Sequence, residues 1–307
     1  YVYTSAPGKR EVEFTWNGQA LQGYEGEMIS SALIANDIHI FGHHPKDNSP
    51  QGMFCANGQC SQCMVIADGL PVKSCMTPLR AGLVVQSLEG LPALPEDDRV
   101  PVLKEPPRRE VEVLILGGGP AGLSAAIELG KLGVDTLIVD DKSSLGGKLL
   151  LQTHKFFGSV EDSHAGTRGF EIARILEEEV RRLDSVEVWL NTTAVGVFSD
   201  RIVGVVKGNL YRKIKPQRLL VATGAREKML SFPGNTLPGV YGAGAFQTLV
   251  NRDLVKSSNR ILIVGGGNVG LIAGYHAIQA GIEVAALVEA LPQVGGYKVH
   301  ADKLMRL

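Results

Sequence analysis

Val113-Leu114-Ile115-Leu116-Gly117-Gly118-Gly119-Pro120-Ala121-Gly122 is the stretch on which the fold turns. Residues 111–116 form an apolar strand, Gly117, Gly119 and Gly122 stand as G-x-G-x-x-G, and residues 121–132 continue as a helix. A second strand at 136–140 closes a βαβ unit. Each glycine has a mechanical task. Gly117 permits the tight turn, Gly119 lets a pyrophosphate approach the backbone, and Gly122 lets helix and strand pack closely. Pro120 and Ala121 open the helix, whose N-terminal N–H groups and positive potential suit phosphate. Asp140 ends the second strand 23 residues after Gly117, where it is expected to hold a ribose hydroxyl pair.

The pattern recurs once. Ile263-Val264-Gly265-Gly266-Gly267-Asn268-Val269-Gly270 supplies Gly265, Gly267 and Gly270, with Glu289 ending its second strand 24 residues after Gly265. The strands are expected at 260–264 and 283–289 and the helix at 270–280. Carboxylates at both ribose positions disfavour a 2′-phosphate, so NAD is preferred over NADP. The other reading of the second site is a retained fold whose pocket is empty or takes an adenylate. Between the copies the periodicity predicts an amphipathic helix at 170–183, strands at 186–197 and 202–206, and a strand at 219–222 that runs into Thr223-Gly224-Ala225.

The first ninety residues read as a small β-rich module. Residues 12–16 and 19–24 flank Asn17-Gly18, a type I′ hairpin signal. A short helix follows at 25–36, then a second hairpin, 64–67 and 70–73 around Asp68-Gly69, and a last strand at 83–87. Residues 91–110 hold five prolines and nine charged residues in twenty and read as an extended linker.

All four cysteines lie within this module, at Cys55, Cys60, Cys63 and Cys75. A secreted disulfide framework usually spreads its bridges over the fold, so the clustering favours an inorganic centre in a reducing compartment. Zinc ribbons come as two C-x2-C knuckles, whereas C-x4-C-x2-C-x11-C matches the start of the plant-type [2Fe-2S] arrangement. Zinc and [2Fe-2S] both remain open on spacing alone. His43 and His44 precede the loop and read as loop residues, because four thiolates already complete such a centre.

Composition narrows the partners. The 307 residues carry 31 basic and 32 acidic side chains, a net charge of -1, so no field directs the chain to nucleic acid. A mean hydropathy of +0.07 and 21% charged residues fit a globular protein. No apolar run is long enough for a transmembrane segment and no secretory leader is present in the sequence, so a cytoplasmic location is expected. The chain begins at Tyr1 without methionine, which leaves room for a processed or missing segment.

The residues FCANGQCSQCMV and SC resemble the short-spaced [2Fe-2S] domains of the ferredoxin-like β-grasp superfamily over about residues 9–90. The segment LLVATGAREKMLSFPGNTLPGVYGAGAFQ, together with the two fingerprints, resembles the two-dinucleotide-binding flavoprotein superfamily. That likeness implies FAD at the first site and NAD, or an adenine nucleotide, at the second. It also implies that Gly146, Gly147 and Lys148 line the loop beside the first nucleotide and that Thr223 and Gly224 border it. The expected fold is α/β: a β-grasp [2Fe-2S] domain at 1–90, the linker at 91–110, an FAD-binding domain at 111–258, and the start of a second Rossmann-like domain at 259–307. In complete relatives the chain returns to the flavin domain. This sequence stops at Leu307, just past the second βαβ unit, so the resemblance implies a fragment or a fold that a second chain completes.

The order of parts resembles the α-type subunit of heteromeric amine and imino-acid dehydrogenases, the group of hydrogen cyanide synthase, opine and hydroxyproline dehydrogenases and heterotetrameric sarcosine oxidase. It implies a chain that relays electrons for a flavoprotein β-type subunit oxidising a small amine or imino acid. Residues 76–307 contain no cysteine, which excludes a redox dithiol facing the flavin. No acid–base pair stands out, so no catalytic residue is assigned. His154, Lys155, His164 and Arg168 read as a cofactor or interface loop, or else as a polar helix-capping segment. Two other functions compete: an NAD(P)H-dependent oxidoreductase passing electrons to a ferredoxin-like acceptor, and a non-catalytic nucleotide-binding scaffold.

Overall fold

The computed structural model describes residues 1–2, 9–93, 96, 98, 100, 102, 104–155 and 157–305. Two compact units divide the chain, residues 1–98 with 227–307, and residues 99–226.

The first unit begins with β1 (Glu11–Trp16) and β2 (Gln19–Tyr24). Asn17 and Gly18 both take positive φ, 49° and 82°, as the type I′ turn requires. Helix α1 (Ile29–Ala35) starts later than the expected 25–36. Gly26 turns at φ 82° and Met28 still bridges Pro78 as extended chain, so the helix opens only beyond them. Two short strands, β3 (Gly42–His43) and β4 (Pro50–Gln51), frame the approach to the cysteine loop and are too brief to carry a sequence signal. β5 (Met64–Ala67) and β6 (Leu70–Lys73) form the second hairpin, and β7 (Val84–Glu89) follows. The sheet runs β2-β1-β7-β3-β4, with β5 also on β7 and β6 on β5. Phe14, Leu33, Phe41, Val65 and Val85 fill its core.

The second unit is a six-stranded sheet. It comprises β8 (Arg108–Leu116), α2 (Pro120–Lys131), β9 (Thr136–Val139), a 3-10 turn (Gly147–Leu151), α3 (Val160–Ser163) and α4 (Gly169–Arg181). It closes with β10 (Val186–Trp189), β11 (Thr193–Val197), β12 (Val203–Lys207) and β13 (Leu210–Val221). The order is β10-β9-β8-β13-β12-β11. β8 starts three residues inside the expected linker, because Arg108 to Glu110 pair in parallel with Lys213 to Lys215. The single strand expected at 186–197 is two. Asn191 turns the chain at φ 51°, and β10 then pairs β9 at one edge while β11 pairs β12 at the other. β13 is far longer than 219–222, since its first half is held by β12. All four residues of β9 are buried, as a central parallel strand covered on both faces should be.

Chain 227–307 returns to the first unit. Helix α5 (Ala243–Gln247) runs into a π-helical turn (Thr248–Asp253), then β14 (Arg260–Val264), α6 (Asn268–Gln279), β15 (Glu283–Val288) and α7 (Lys298–Met305). Ala245, Leu249 and Val255 share the apolar core of α1, and Ser31 Oγ donates to Asp253 Oδ2 at 2.8 Å. Residues 227–258 therefore pack with the front module, whereas the sequence places them in a 111–258 domain. β14 and β15 pair in parallel as a two-stranded sheet. No helix among the described residues is long and apolar enough to cross a membrane.

Candidate functional site: two phosphate turns and a thiol loop

The first glycine turn is built by backbone needs that side chains would violate. Gly117 sits at φ 108°, and its N–H donates to Val139 O at 2.9 Å. A Cβ at Gly122 would lie 1.9 Å from Gly117 O, so helix α2 approaches the turn as only glycine allows. Gly119 differs. A Cβ there would meet nothing nearer than Gly147 Cα at 3.9 Å, so this position faces open space. Pro120 is the first residue of α2, where its missing N–H costs nothing, and Ala121 and Gly122 complete the first turn, whose N–H groups lack intrahelical acceptors.

Around this turn the structure gathers the other expected residues. Gly146 and Gly147 take positive φ, 107° and 53°, and Gly146 N donates to Gly118 O at 2.8 Å, which holds the second loop against the first. Lys148 is exposed on the 3-10 turn. Ala222 N bonds Leu116 O at 2.8 Å, placing Thr223 and Gly224, the latter at φ 70°, beside Gly117. Asp140 Oδ2 accepts from Gly118 N at 2.6 Å and Oδ1 from Lys142 N at 2.8 Å. The carboxylate thus shapes the glycine turn and retains lone pairs for ribose hydroxyls. An open cradle of backbone at Gly119, a helix N-terminus and a carboxylate at the next strand end fit the adenosine pyrophosphate half of FAD.

The second turn repeats this construction. Gly265 takes φ 107°, a Cβ at Gly270 would lie 2.0 Å from Gly265 O, and a Cβ at Gly267 would meet nothing within 4 Å. Glu289 accepts from Gly266 N and Ala290 N at 2.7 Å and from Leu291 N at 3.2 Å. Those backbone donors, Gly266 first, hold its carboxyl below the usual range. The sequence reading missed one part. Gly296 N donates to Gly266 O at 3.0 Å, so a second glycine pair is held against this turn, by its second member where Gly146, the first member, serves the first turn. The likeness of Leu145-Gly146-Gly147 to Val294-Gly295-Gly296 was available in the sequence.

Among the described residues, His154, His164 and Arg168 make separate local contacts. His154 stacks on Phe157 at 4.9 Å, His164 ends α3 in the left-handed region, and Glu171 reaches back to Arg168 N at 3.1 Å at the start of α4. The last two contacts are capping geometry.

The thiol loop lies between β4 and β5, with the fourth cysteine after β6. Ala56 and Gly58 curl it at φ 51° and 81°. Gly52 is needed for close approach, since a Cβ there would lie 2.2 Å from His39 O. Cys60 N donates to Cys55 Sγ at 3.4 Å, and Ser74 pins Cys63 O with its N–H at 3.0 Å and its hydroxyl at 2.7 Å. Cys55 and Cys60 are half-buried, Cys63 and Cys75 buried, and all four are free thiols.

Cys60 and Cys75 are the neighbours that bear most on the acidity of Cys55 and Cys63 respectively. The bond from Cys60 holds Cys55 far below the ordinary thiol value, and that from Cys75 holds Cys63 down to about 7. Donating to those partners pushes Cys60 and Cys75 up. Among the described residues no group of three or more His, Cys, Asp or Glu side chains converges as a single-ion site. Zinc would draw its sulfurs to about 2.3 Å of one ion. Four free thiols with the C-x4-C-x2-C spacing supply the all-sulfur donor set that [2Fe-2S] requires. His43 and His44 face carboxylates instead, Glu89 at 2.9 Å and Asp47 at 3.1 Å.

Residues 111–305, more than half of the chain, match the family described as pyridine nucleotide-disulphide oxidoreductase. The chain belongs to that family. Residues 9–90 match the 2Fe-2S iron-sulfur cluster binding domain family. This member is therefore an oxidoreductase chain with [2Fe-2S] and FAD as its cofactors, and it has no cysteine between 76 and 307 for the disulphide chemistry in the family's name. Sarcosine oxidase subunit alpha of Rhizobium meliloti is 26% identical over 92% of this chain and 35% of its own length. Hydrogen cyanide synthase subunit HcnB of Pseudomonas aeruginosa is 32% identical over 58% of this chain and 38% of its own. The chain thus spans little more than a third of these relatives. The crystal structure of L-proline dehydrogenase from P. horikoshii shares the fold, with a TM-score of 0.78 and 24% identity over 97% of this chain and 57% of that one.

Proposed function

We propose that this chain is the electron-transferring α-type part of an amine or imino-acid dehydrogenase complex, working beside a flavoprotein β-type subunit in the cytoplasm. The observation that carries the reading is the pairing of a four-thiol loop with an FAD-type glycine turn on a chain that has no second dithiol. A flavin exchanges electrons in pairs or singly and an iron-sulfur centre takes them one at a time, so together they convert two-electron oxidation into single transfers.

This chain's own residues have binding and orienting work. Gly117, Gly119, Gly122 and the first turn of α2 would take the flavin pyrophosphate, Asp140 its ribose, with Gly147, Lys148, Thr223 and Gly224 around them. Cys55, Cys60, Cys63 and Cys75 would hold the cluster. That both curated relatives are named as subunits supports a partner chain.

A second reading follows from the Gly265–Gly270 turn, whose geometry repeats the first down to its carboxylate at Glu289. Binding of NAD, or of an adenine nucleotide, at that turn suits an NAD(P)H-dependent oxidoreductase serving a ferredoxin-like acceptor. Cofactor extraction combined with identification of co-purifying chains separates the two. A stoichiometric flavoprotein partner and no flavin reduction by NADH favour the dehydrogenase subunit. Full reduction by NADH in the isolated chain overturns it.

A further inference from the structure

Lys73, the last residue of β6 and two residues before Cys75, has a charge the cofactor reading does not use. Its Nζ donates to Gly58 O at 2.7 Å. Gly58 lies inside the loop between Cys55 and Cys60, so the ammonium is fixed at the middle of the ligand loop and bonds a carbonyl rather than a carboxylate. Lys73 is half-buried, which limits screening by water. Its stem is fixed from both ends. The Cα pairs in register with Met64, and its carbonyl accepts from Met76 N at 2.9 Å and Thr77 Oγ1 at 3.0 Å. Met76 backs the same turn, since a Cβ at Gly58 would lie 2.9 Å from Met76 Cγ. The segment 73–76 thus supplies one thiol, clamps the loop of two others through Lys73, and pins the last through Ser74.

We propose that Lys73 sets the reduction potential of the cluster held by the four cysteines, its fixed positive charge favouring the reduced state. The proposal rests on the [2Fe-2S] reading of those cysteines. Reduction adds one electron to an anionic centre, and no bond in the protein forms or breaks. A cation held at the ligand loop stabilises the more negative state, and charge and hydrogen bonding around the sulfurs are among the levers that set such potentials.

The test is an anaerobic redox titration of the full chain with dithionite as electron donor, followed by electron paramagnetic resonance, in Lys73→Gln, Lys73→Met and Lys73→Arg. Gln keeps a donor for Gly58 O without charge, Met keeps only the stem, and Arg keeps charge and donor. The expected result is a lower midpoint in Gln and Met, with at least a threefold smaller ratio of reduced to oxidised cluster at fixed potential, about 28 mV at 59 mV per tenfold. Arg stays near the wild type. If Met loses its cluster, the comparison of Gln with Arg decides. Unmoved midpoints in Gln with iron and sulfide intact, or an equal fall in Arg and Gln, overturn the role of Lys73 alone. A wild-type chain without iron or acid-labile sulfide overturns the cluster reading beneath it.

Discussion

Replacing Gly119 or Gly122 by alanine separates the two tasks that the first glycine turn performs. At Gly122 the new Cβ would stand 1.9 Å from Gly117 O, about 1.5 Å inside van der Waals contact, and both atoms belong to backbone that the helix and strand hold in place. Relief requires α2 or the turn to move, an overpacking cost of about 1–3 kcal/mol or more. For a unit the size of residues 99–226 that is a melting-point loss of roughly 3–15 °C.

At Gly119 the same methyl group meets nothing nearer than 3.9 Å, and the residue's φ of -78° suits alanine. The apo protein should be unchanged or up to about 1 kcal/mol more stable. Its methyl group occupies the cradle, however. Losing one charge-assisted hydrogen bond to pyrophosphate costs about 1.5–3 kcal/mol, roughly 10- to 150-fold in flavin affinity. The assay is thermal unfolding of the apo chains together with titration of each with FAD, followed by quenching of flavin fluorescence. Gly122→Ala should lose stability and binding together, and Gly119→Ala binding only. Wild-type FAD affinity in Gly119→Ala refutes the placement of the pyrophosphate.

Three further outcomes are expected. Cys63→Ser should abolish the visible iron-sulfur spectrum and reduce bound iron and acid-labile sulfide to background by chemical analysis, and retention of both at wild-type level counts against its role as ligand. Glu289→Ala removes the acceptor of the Gly266, Ala290 and Leu291 N–H groups, so calorimetric affinity for NADH should fall by roughly tenfold or more while NADPH gains nothing; equal binding of both nucleotides by the wild type contradicts an NAD-type site. Glu27 is buried and accepts from Tyr1 Oη and Tyr24 N at 2.7 Å, its Oε2 has no hydrogen-bond partner among the described residues, and its burial raises its pKa. The folded state therefore binds this proton more tightly than the unfolded one, so its stabilisation is complete below the ordinary Glu value and is lost as pH rises through the folded value. As pH rises above the ordinary Glu value, wild-type stability should fall relative to Glu27→Gln in denaturant melts, and parallel profiles would refute it.

Legibility in the sequence followed how local each signal was. Asn17-Gly18 and Asp68-Gly69 announce their hairpins because only certain residues accept positive φ at low cost. Helix α1 was overestimated because its first three expected residues include a left-handed glycine, and Met28 is claimed by Pro78, a residue fifty positions away. Helix α5 and the π-helical turn gave no usable pattern. Their buried residues face two different apolar clusters, Leu249 one and Val250 the other, which blurs any single stripe.

Legible in the residues alone were both glycine turns, the acid that ends each second strand, the four clustered cysteines and the lack of cysteine from 76 to 307. These depend on residue type and short spacing, which chain geometry alone converts into position. Tertiary structure decided the rest. It split residues 186–197 between opposite edges of a sheet, joined residues 227–307 to the front module, and brought Lys73 onto the carbonyl of Gly58. Each is a contact between distant segments, fixed by burial and strand pairing over the whole unit, and no local pattern of residues encodes such a contact.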